Sequence, residues 1–371
     1  MTLVGSCIDH HRADTVDAIA APHPNPVASV LIVNHNGGAD LSACLASLSC
    51  TAHDAYEVIV VDNASTDGSA DQAEVAFPDV RWARSPENLG FGGANNLAAS
   101  QAHGEILVFL NPDTHVTPGW LDALVQVLQN DPRAGLATSR ILLKDHPDRV
   151  NAAGNVMHIT GLTLCRGMGA DRDAFDTPEE VDAVSGAAFA IRRSLFDALG
   201  GFDAAFFLYM EDTDLSWRAR LAGYTCRYVP ESIVYHDYVL RFGPRKTYYQ
   251  ERNRWMMLLK TLRWGTLVVM VPTLLVGEIV TWGFVLLKDR RHFTNKLEAY
   301  GWVVAHWGEI MAKRRATQAT RTIRDRELLQ RTTHRLPLEQ VERGGVRHLV
   351  QAVLGPLFWV LRLSTLVLTG W

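Results

Sequence analysis

The sequence predicts an α/β domain built on a mostly parallel sheet, with a helical extension behind it. Three observations carry that reading. Short apolar runs alternate with helical stretches over residues 27–130, the rhythm of a parallel sheet covered by helices. Polar residues (Asn34, Asp62, Asn88 and Asp113) follow the runs, at the strand ends where open α/β sheets bind ligands. Charge is divided along the chain. Residues 27–240 carry 13 Lys+Arg and 28 Asp+Glu, a net of −15, whereas residues 241–371 carry 22 and 9, a net of +13.

Residues 27–33 form a continuous apolar run, read as a buried strand, and 41–48 reads as a helix. Residues 56–61 are the next strand, closing on Asp62, with a helix from about Ser69. A third strand, 80–83, leads through a Gly-rich turn to a helix from Gly93. The fourth, 106–110, ends at Asn111-Pro112-Asp113, and Pro118 suits the first turn of the following helix. Further on, 184–191 reads as a strand, 194–199 as a short helix and 212–222 as a longer helix stopped by Gly223. Residues 225–229 and 233–236 read as two short strands. At 371 residues the chain suits one large domain plus an addition. With 47% hydrophobic and 20% charged residues, most of it should fold. Cys7, Cys44, Cys50, Cys165 and Cys226 include no C-x-x-C pair, which points away from a disulfide framework or zinc site and fits a reducing compartment. Residues 1–26 carry Asp9, Asp14 and Asp17 and no long apolar run, so they read as a disordered leader rather than a signal peptide.

Several motifs carry chemistry. A strand delivers Asp62 into a polar turn ending at Gly68; a carboxylate there can accept from the imide N–H of uracil or thymine, and it can equally cap the next helix. In residues 84–96 glycines permit close backbone approach and asparagines supply neutral donors, although an ordinary strand-to-helix turn has the same composition. Asp113 is a hard oxygen ligand at a strand end; a divalent ion there would neutralise a diphosphate, and a turn residue is the plainer alternative. Glu211, Asp212 and Asp214 precede Arg218 and Arg220 on one helix. Acids complement a helix N-terminus, yet three of them behind an aromatic run and Gly200-Gly201 suggest a general base. His236 follows an apolar strand and matters only beside Asp113.

With these residues in place, the chain resembles family 2 glycosyltransferases, and among them the bacterial rhamnosyltransferase-like branch, over about residues 27–262. The resemblance rests on ordered motifs: Val-Asp-Asn-Ala-Ser-Thr-Asp-Gly-Ser (61–69), Glu-Asn-Leu-Gly-Phe-Gly-Gly-Ala-Asn (87–95), Leu-Asn-Pro-Asp (110–113), Gly-Gly-Phe-Asp (200–203), Glu-Asp-Thr-Asp-Leu (211–215) and Arg252-Asn253. It implies the GT-A nucleotide-diphospho-sugar transferase fold over residues 27–240 and an inverting transfer of one sugar. The donor would be a dTDP- or UDP-sugar, with rhamnose one candidate, and the acceptor a lipid-linked or cell-surface glycan. It further implies that Asp62 reads the donor base and that Asn34, Asn63, Asn88, Gly90, Asn95, Asn111 and Asp113 complete the donor site. Asp113 matches the last acid of the family's D-x-D motif, whose first acid is replaced by Asn111. A divalent metal (Mg2+ or Mn2+) would rest on Asp113 and His236. Asp212 matches the base, with Glu211 beside it, and Gly186, Ala187 and Arg252 would meet the acceptor. Processive synthases carry Q-x-x-R-W; here Gln250 and Arg254 have three residues between them, which turns Gln250 by about 100° on a helix and favours single-sugar transfer.

A noncatalytic nucleotide-sugar-binding subunit is the alternative, supported by Asn111. A nucleotidyltransferase would need Lys or Arg in a phosphate loop, which Asn34-His-Asn-Gly-Gly38 lacks. Residues 241–371 are expected to form a basic, helical, membrane-associated region on the cytoplasmic face. Residues 264–287 and 349–371 are long enough to span a bilayer. Residues 288–348 hold 14 Lys+Arg against 7 Asp+Glu, and a single crossing at 264–287 would place that charge outside. Pro272 and Glu278 favour a re-entrant segment. Phe293, Leu297, Tyr300, Val304, Trp307 and Met311 share one stripe for the interface, and Lys313-Arg314-Arg315 are expected on anionic headgroups.

Overall fold

Buried strands read as unbroken apolar runs because both faces of a covered sheet are dry, and this governs the centre of the molecule. The computed structural model describes residues 25–49, 56–238, 245–288, 290, 293–336 and 346–370. The expected leader falls almost entirely outside them. The first half runs β1 (Ala28–Asn34), α1 (Gly38–Leu48), β2 (Tyr56–Asn63), α2 (Ser69–Ala76), β3 (Arg81–Ser85), α3 (Gly90–Gln101), β4 (Ile106–Leu110), β5 (Thr114–Val116), α4 (Trp120–Asn130) and β6 (Ala134–Leu143). Short strands β7 (Val150–Ala152), β8 (Asn155–Met157), β9 (Thr163–Cys165) and β10 (Glu179–Val181) precede β11 (Ala188–Arg192), α5 (Arg193–Ala198), α6 (Glu211–Leu221) and β12 (Thr225–His236).

The main sheet has the order β10-β12-β6-β11-β4-β1-β2-β3. Strands β1 to β4 pair in parallel, and β12 is parallel to β6. Strand β11 runs antiparallel between β4 and β6 and joins the two halves. The sheet is therefore mixed, with most principal strands in one direction. Alternate residues feed opposite faces: Val30, Ile32, Val58 and Val60 pack with Leu45, Trp120 and Leu124, whereas Leu31, Ile59 and Val61 pack with Ala98, Phe109 and Phe202.

Several boundaries differ from the sequence reading. Helix α3 starts at Gly90 rather than Gly93, because the Asn88 side chain accepts from the Gly90 N–H at 2.8 Å. Pro118 lies before α4, whose N-cap Gly119 has φ 80°. The two strands expected at 225–236 are one, β12, with a register shift between Val229 and Ile233.

The C-terminal region comprises α7 (Lys246–Thr261), α8 (Trp264–Val269), α9 (Val271–Lys288), α10 (Phe293–Ala305), α11 (Trp307–Ala319), α12 (Asp325–Leu329) and α13 (Val346–Leu368). The run expected at 264–287 breaks at Met270, leaving Pro272 in the first turn of α9, where its missing N–H is harmless. The interfacial stripe is split between α10 and α11. Tyr300 turns inward to hydrogen-bond Glu278, and Met311 packs on the core, but Phe293, Leu297, Val304 and Trp307 are exposed.

Glu278 pairs with Arg254 and Lys296, and both cations also pair with Glu251. One expectation about charge is corrected: Lys313-Arg314-Arg315 do not form an exposed cationic patch. Lys313 pairs with Asp203 at 2.6 Å and Glu309 at 2.7 Å, and only Arg315 is exposed. Arg314 is buried and donates to the Leu259 and Leu262 carbonyls. With Gln318 and Arg321 on the Lys260 and Thr261 carbonyls, it satisfies the open end of α7. Among the described residues one helix, over 351–368, is long and apolar enough to cross a membrane.

Candidate active site

The carboxyl ends of β1, β2 and β4 place the first group of side chains. Asp62 closes β2, is 6% exposed and accepts from Asn34 Nδ2 at 3.3 Å. Asn34 is fully buried. Its Nδ2 also reaches Ser65 and Ser69 at 3.0 Å, and its Oδ1 accepts from Gly37 N. It therefore acts as a brace for the turns around Asp62, not as a surface for a ligand. Asn63 plays the same part for the next loop, accepting from Leu89 N at 2.8 Å and donating to Asn88 Oδ1 at 3.0 Å. Asn88 is exposed, and its amide nitrogen meets His35 Nε2 at 3.2 Å while His35 Nδ1 meets the Asn63 carbonyl.

The close approach expected at the glycines is made to protein, not to a ligand. Gly90 has φ 70°, and a Cβ there would lie 2.3 Å from the Phe207 carbonyl. The close approach is to the 202–207 segment, sealed by Phe91 N donating to Phe207 O at 2.7 Å. Asn95 is likewise turned inward, buried and bonded to the Phe91 carbonyl.

The second group surrounds Asp113. Asn111 and His236 line one cavity, and His236 Nε2 lies 3.2 Å from Asp113 Oδ1. The expected pairing of Asp113 and His236 is thus present in space. His236 Nδ1 meets Asn151 Oδ1 at 2.9 Å; in the tautomer that donates there, Nε2 is an acceptor turned toward Asp113. Asp113 Oδ1 is buried without a well-formed hydrogen bond. Two facing acceptors need a cation or proton between them, so the pair fits a divalent ion. Among the described residues no third His, Cys, Asp or Glu joins them, leaving the other positions to water or phosphate oxygens, the usual manner of Mg2+.

The third group is the acidic start of α6. Asp212 is held at both oxygens. Oδ2 accepts from Gly186 N at 2.8 Å and Asn155 Nδ2 at 3.0 Å, and Oδ1 from Thr213 N at 2.6 Å and Thr213 Oγ1 at 3.1 Å. Burial pushes its carboxyl above the ordinary aspartate range, opposed by those donors. Glu211 is 6% exposed, and its Oε2 has no hydrogen-bond partner. Burial, then the Asp212 charge, push it well above the usual range. Both carboxyls are pushed upward by burial, but four donors oppose the shift at Asp212 and a single backbone bond opposes it at Glu211, so the Asp212 carboxylate is the better stabilised of the two.

The loop leading into α6 is left-handed at Phe207, Tyr209 and Met210, with φ of 61°, 69° and 69°. Such backbone is costly for non-glycine residues. Asn253 holds it, its Nδ2 shared among the carbonyls of Phe206, Leu208 and Tyr209 at 2.7–3.0 Å. Arg252 adds bonds to the Ala205 and Phe206 carbonyls at 2.6 Å. Its guanidinium is consumed there and does not line the cavity, so its expected contact with an acceptor is replaced by a positioning role.

The cavity of about 550 Å3 brings together Asn111, Gly186, Ala187, Glu211, Asp212 and His236. It also takes in Asn151, Asn155, Tyr209 and Lys246, which sequence reasoning missed. The signal for Asn151 and Asn155 was two amides flanking Ala-Ala-Gly in an otherwise unassigned stretch; for Lys246, its place one turn before Gln250.

Comparisons with known proteins agree with this architecture. The glycosyl transferase family 2 model matches residues 29–200. N-acetylglucosaminyl-diphospho-decaprenol L-rhamnosyltransferase of Mycobacterium tuberculosis is 33% identical over 235 residues, covering 57% of this chain and 76% of that protein. Pre-mycofactocin glycosyltransferase of the same organism is 30% identical over 236 residues, 60% of this chain and 46% of that one. Among solved structures, S. aureus TarS 1–349 in complex with UDP-GlcNAc superimposes with a TM-score of 0.53 at 16% identity, covering 92% and 89% of the two chains. GalNAc-T7 with UDP, GalNAc and Mn2+ gives 0.52 at 20% identity, covering 63% and 48%. The chain belongs to glycosyl transferase family 2, with a GT-A-like fold and a C-terminal helical region.

The clasp on the α6 loop yields a stability test. Asn253→Ala removes a shared donor from three carbonyls and should cost about 2 kcal/mol or more in denaturant unfolding. Asn253→Asp, which puts an acceptor against acceptors, should cost more than the alanine change. Wild-type stability in Asn253→Asp would show that the loop does not depend on the clasp.

Proposed function

We propose that this family 2 enzyme transfers one sugar, with inversion, from a dTDP- or UDP-sugar to a lipid-linked glycan at the cytoplasmic face of the membrane. The observation that carries this reading is the shared cavity, which sets the Asp212 carboxylate opposite the Asn111–Asp113 strand end. Rhamnose is the favoured sugar, because the 33% identical relative is named as an L-rhamnosyltransferase acting on a diphospho-decaprenol-linked acceptor. In this reading Asp62 accepts from the imide of the base while Asn34 and Asn63 fix the loops around it. Asp212 takes the proton of the acceptor hydroxyl, whose oxygen attacks the anomeric carbon from the face opposite the diphosphate. Asp113 and His236 would hold a divalent ion, which would neutralise charge on the departing diphosphate. Burial and the Asp212 charge disfavour the ionised form of Glu211, which lessens the negative charge beside the base. Asn155 and Gly186 orient the carboxylate; the Thr213 hydroxyl, free to rotate, can yield its place to the acceptor.

Membrane association is supported by the apolar surface of the tail. Val268, Leu275, Ile279, Leu287, Val304 and Val367 are each more than half exposed, a spread of apolar residues that marks an interaction surface. Both ends of the α8–α10 excursion return to α7: Lys296 of α10 pairs with Glu251, and Arg314 of α11 caps the α7 C-terminus. That closure suits helices lying in the interface, with 313–336 on the same side as the catalytic domain. The full chain should sediment with membranes and come off with detergent. Arg326→Cys should resist an impermeant thiol reagent applied to intact cells. Strong labelling from outside would overturn the one-sided arrangement.

Asp212→Asn is expected to lower turnover about 10²–10⁴-fold with donor affinity little changed; near-normal turnover would sink the assignment. The pH profile gives a finer test. A base with a raised pKa loses activity as pH falls through that value, so the acidic limb should lie above the ordinary aspartate range. Asn155→Ala removes a donor to the charged form, raises the pKa further and should move the limb to higher pH.

Exhaustive chelation should abolish transfer, and added Mg2+ or Mn2+ should restore it. His236→Ala should raise the metal concentration required for half-maximal rate. Full activity in the chelated enzyme would remove the ion from the mechanism.

A further inference from the structure

The cavity holding Asp212 does not end at the chemistry. It continues to Val280, Phe284 and Val285 of α9 and Leu336, past Leu208 and Tyr209. At that end Val280, Phe284, Val285, Leu208 and Leu336 make the lining apolar, which suits neither nucleotide nor free sugar. Lys246 is the sole lysine or arginine among its described lining residues, and its ammonium lies 5.3 Å from the Tyr209 ring. Burial lowers the Lys246 pKa. A phosphate in the cavity would meet this ammonium as the one lysine or arginine donor among the described lining. The Cys165 thiol, another lining group, feels the charges of both Asp212 and Lys246, so the two functional groups act on one space.

Helix α9 connects that space to the exposed apolar surface. Val280 and Phe284, one turn apart, form the cavity wall. Their neighbours Ile279 and Leu275 are 72% and 59% exposed, about 100° around the helix from Val280 and one further turn along. Gly277 permits the seating of α9: a Cβ there would lie 2.7 Å from Thr160 Cγ2. The wall is thereby pressed against the turn after β8, the strand that supplies Asn155 to the base.

We infer that Lys246 binds the phosphate of an isoprenoid-phosphate-linked acceptor, and that Val280, Phe284 and Val285 guide its hydrocarbon chain from the cavity onto the exposed face of α9. The assignment rests on the lipid-linked acceptor reading above and adds the residues that recognise the carrier. Its order is sugar hydroxyl at Asp212, phosphate at Lys246, chain along α9. Charge complementarity and continuity with the membrane-facing surface select this occupant over a neutral lipid.

The test uses the full chain in a mild non-ionic detergent, with a chelator present so that a metal-held diphosphate site cannot contribute. Binding of farnesyl phosphate, farnesol and phosphatidic acid is compared by titration calorimetry. Farnesyl phosphate should bind more tightly than either of the others. Lys246→Met should weaken it about tenfold or more, the size of one charge-assisted hydrogen bond, and Lys246→Arg should retain most of the binding. Phe284→Ser should weaken farnesyl phosphate by a similar factor, and an unchanged thermal unfolding midpoint shows that the variant is folded. Equal binding of farnesol, equal binding of phosphatidic acid, or an unaffected Lys246→Met would each overturn the inference. Asp212→Asn separates the two readings. Lipid binding that persists there while turnover falls supports both. Lost lipid recognition in otherwise hydrolysis-competent wild type overturns only this one, and normal turnover in Asp212→Asn overturns the catalytic reading.

Discussion

The site depends on holding a left-handed loop in place. Residues 207–210 contain three non-glycine positions at positive φ, and such backbone persists only where its surroundings over-determine it. The surroundings here are Asn253 and Arg252 from α7, which engage the carbonyls of residues 205, 206, 208 and 209. On the other flank Gly90 allows α3 to meet the Phe207 carbonyl. The loop is thus fixed from the sheet side and from the tail side at once. Its product is the orientation of α6, whose first turn carries Glu211 and Asp212 into the cavity. A family motif that could pass for an acceptor contact, Arg-Asn on a distant helix, is explained by this constraint.

Because α7 performs that work, its own stability becomes a condition for the site. Its C-terminal carbonyls are capped by Arg314, Gln318 and Arg321, and its middle is tied to α9 and α10 through Glu251, Arg254, Glu278 and Lys296. A buried ion pair is weak evidence of stability in general, since desolvation offsets attraction. What it supplies is register: two acids and two bases satisfy one another only in one arrangement of three helices. The basic charge of the tail is therefore partly internal machinery, spent on helix ends and ion pairs rather than on an exposed cationic patch.

The strands and the order of the acids were legible in the sequence because buried strands leave continuous apolar runs and because Asp62, Asp113 and Asp212 sit at element ends. The pairing of Asp113 with His236 was legible only through family resemblance; it depends on β5 lying antiparallel to the end of β12, a contact between residues far apart in sequence. The asparagines were harder. Asn34, Asn63 and Asn95 have the composition of a ligand site, yet their amides are spent on turns and on a helix carbonyl. An amide gives no sequence cue to whether its partner is backbone or ligand. Lys313-Arg314-Arg315 failed for the matching reason: a basic triplet looks like a surface patch until one knows that a helix ends beneath it. Asn151 and Asn155 escaped notice because β7 and β8, which carry them, are three residues each, too short for periodicity to reveal.

The arrangement ties the catalytic cavity to the exposed apolar face of the tail through a single helix pair. Helix α7 carries the clasp on the α6 loop and Lys246 on the cavity wall, and α9, joined to it by Arg254 and Glu278, carries both the inner wall and the exposed apolar face. A displacement of α9 would therefore be felt at the ion network, then at α7, and then at the loop that presents Asp212. Each contact along that route is a short-range hydrogen bond or ion pair, not a long-range field. The physical consequence is that the tail cannot be a detachable anchor: the interactions that would seat an acceptor's lipid are built from the same helices that hold the carboxylate in position.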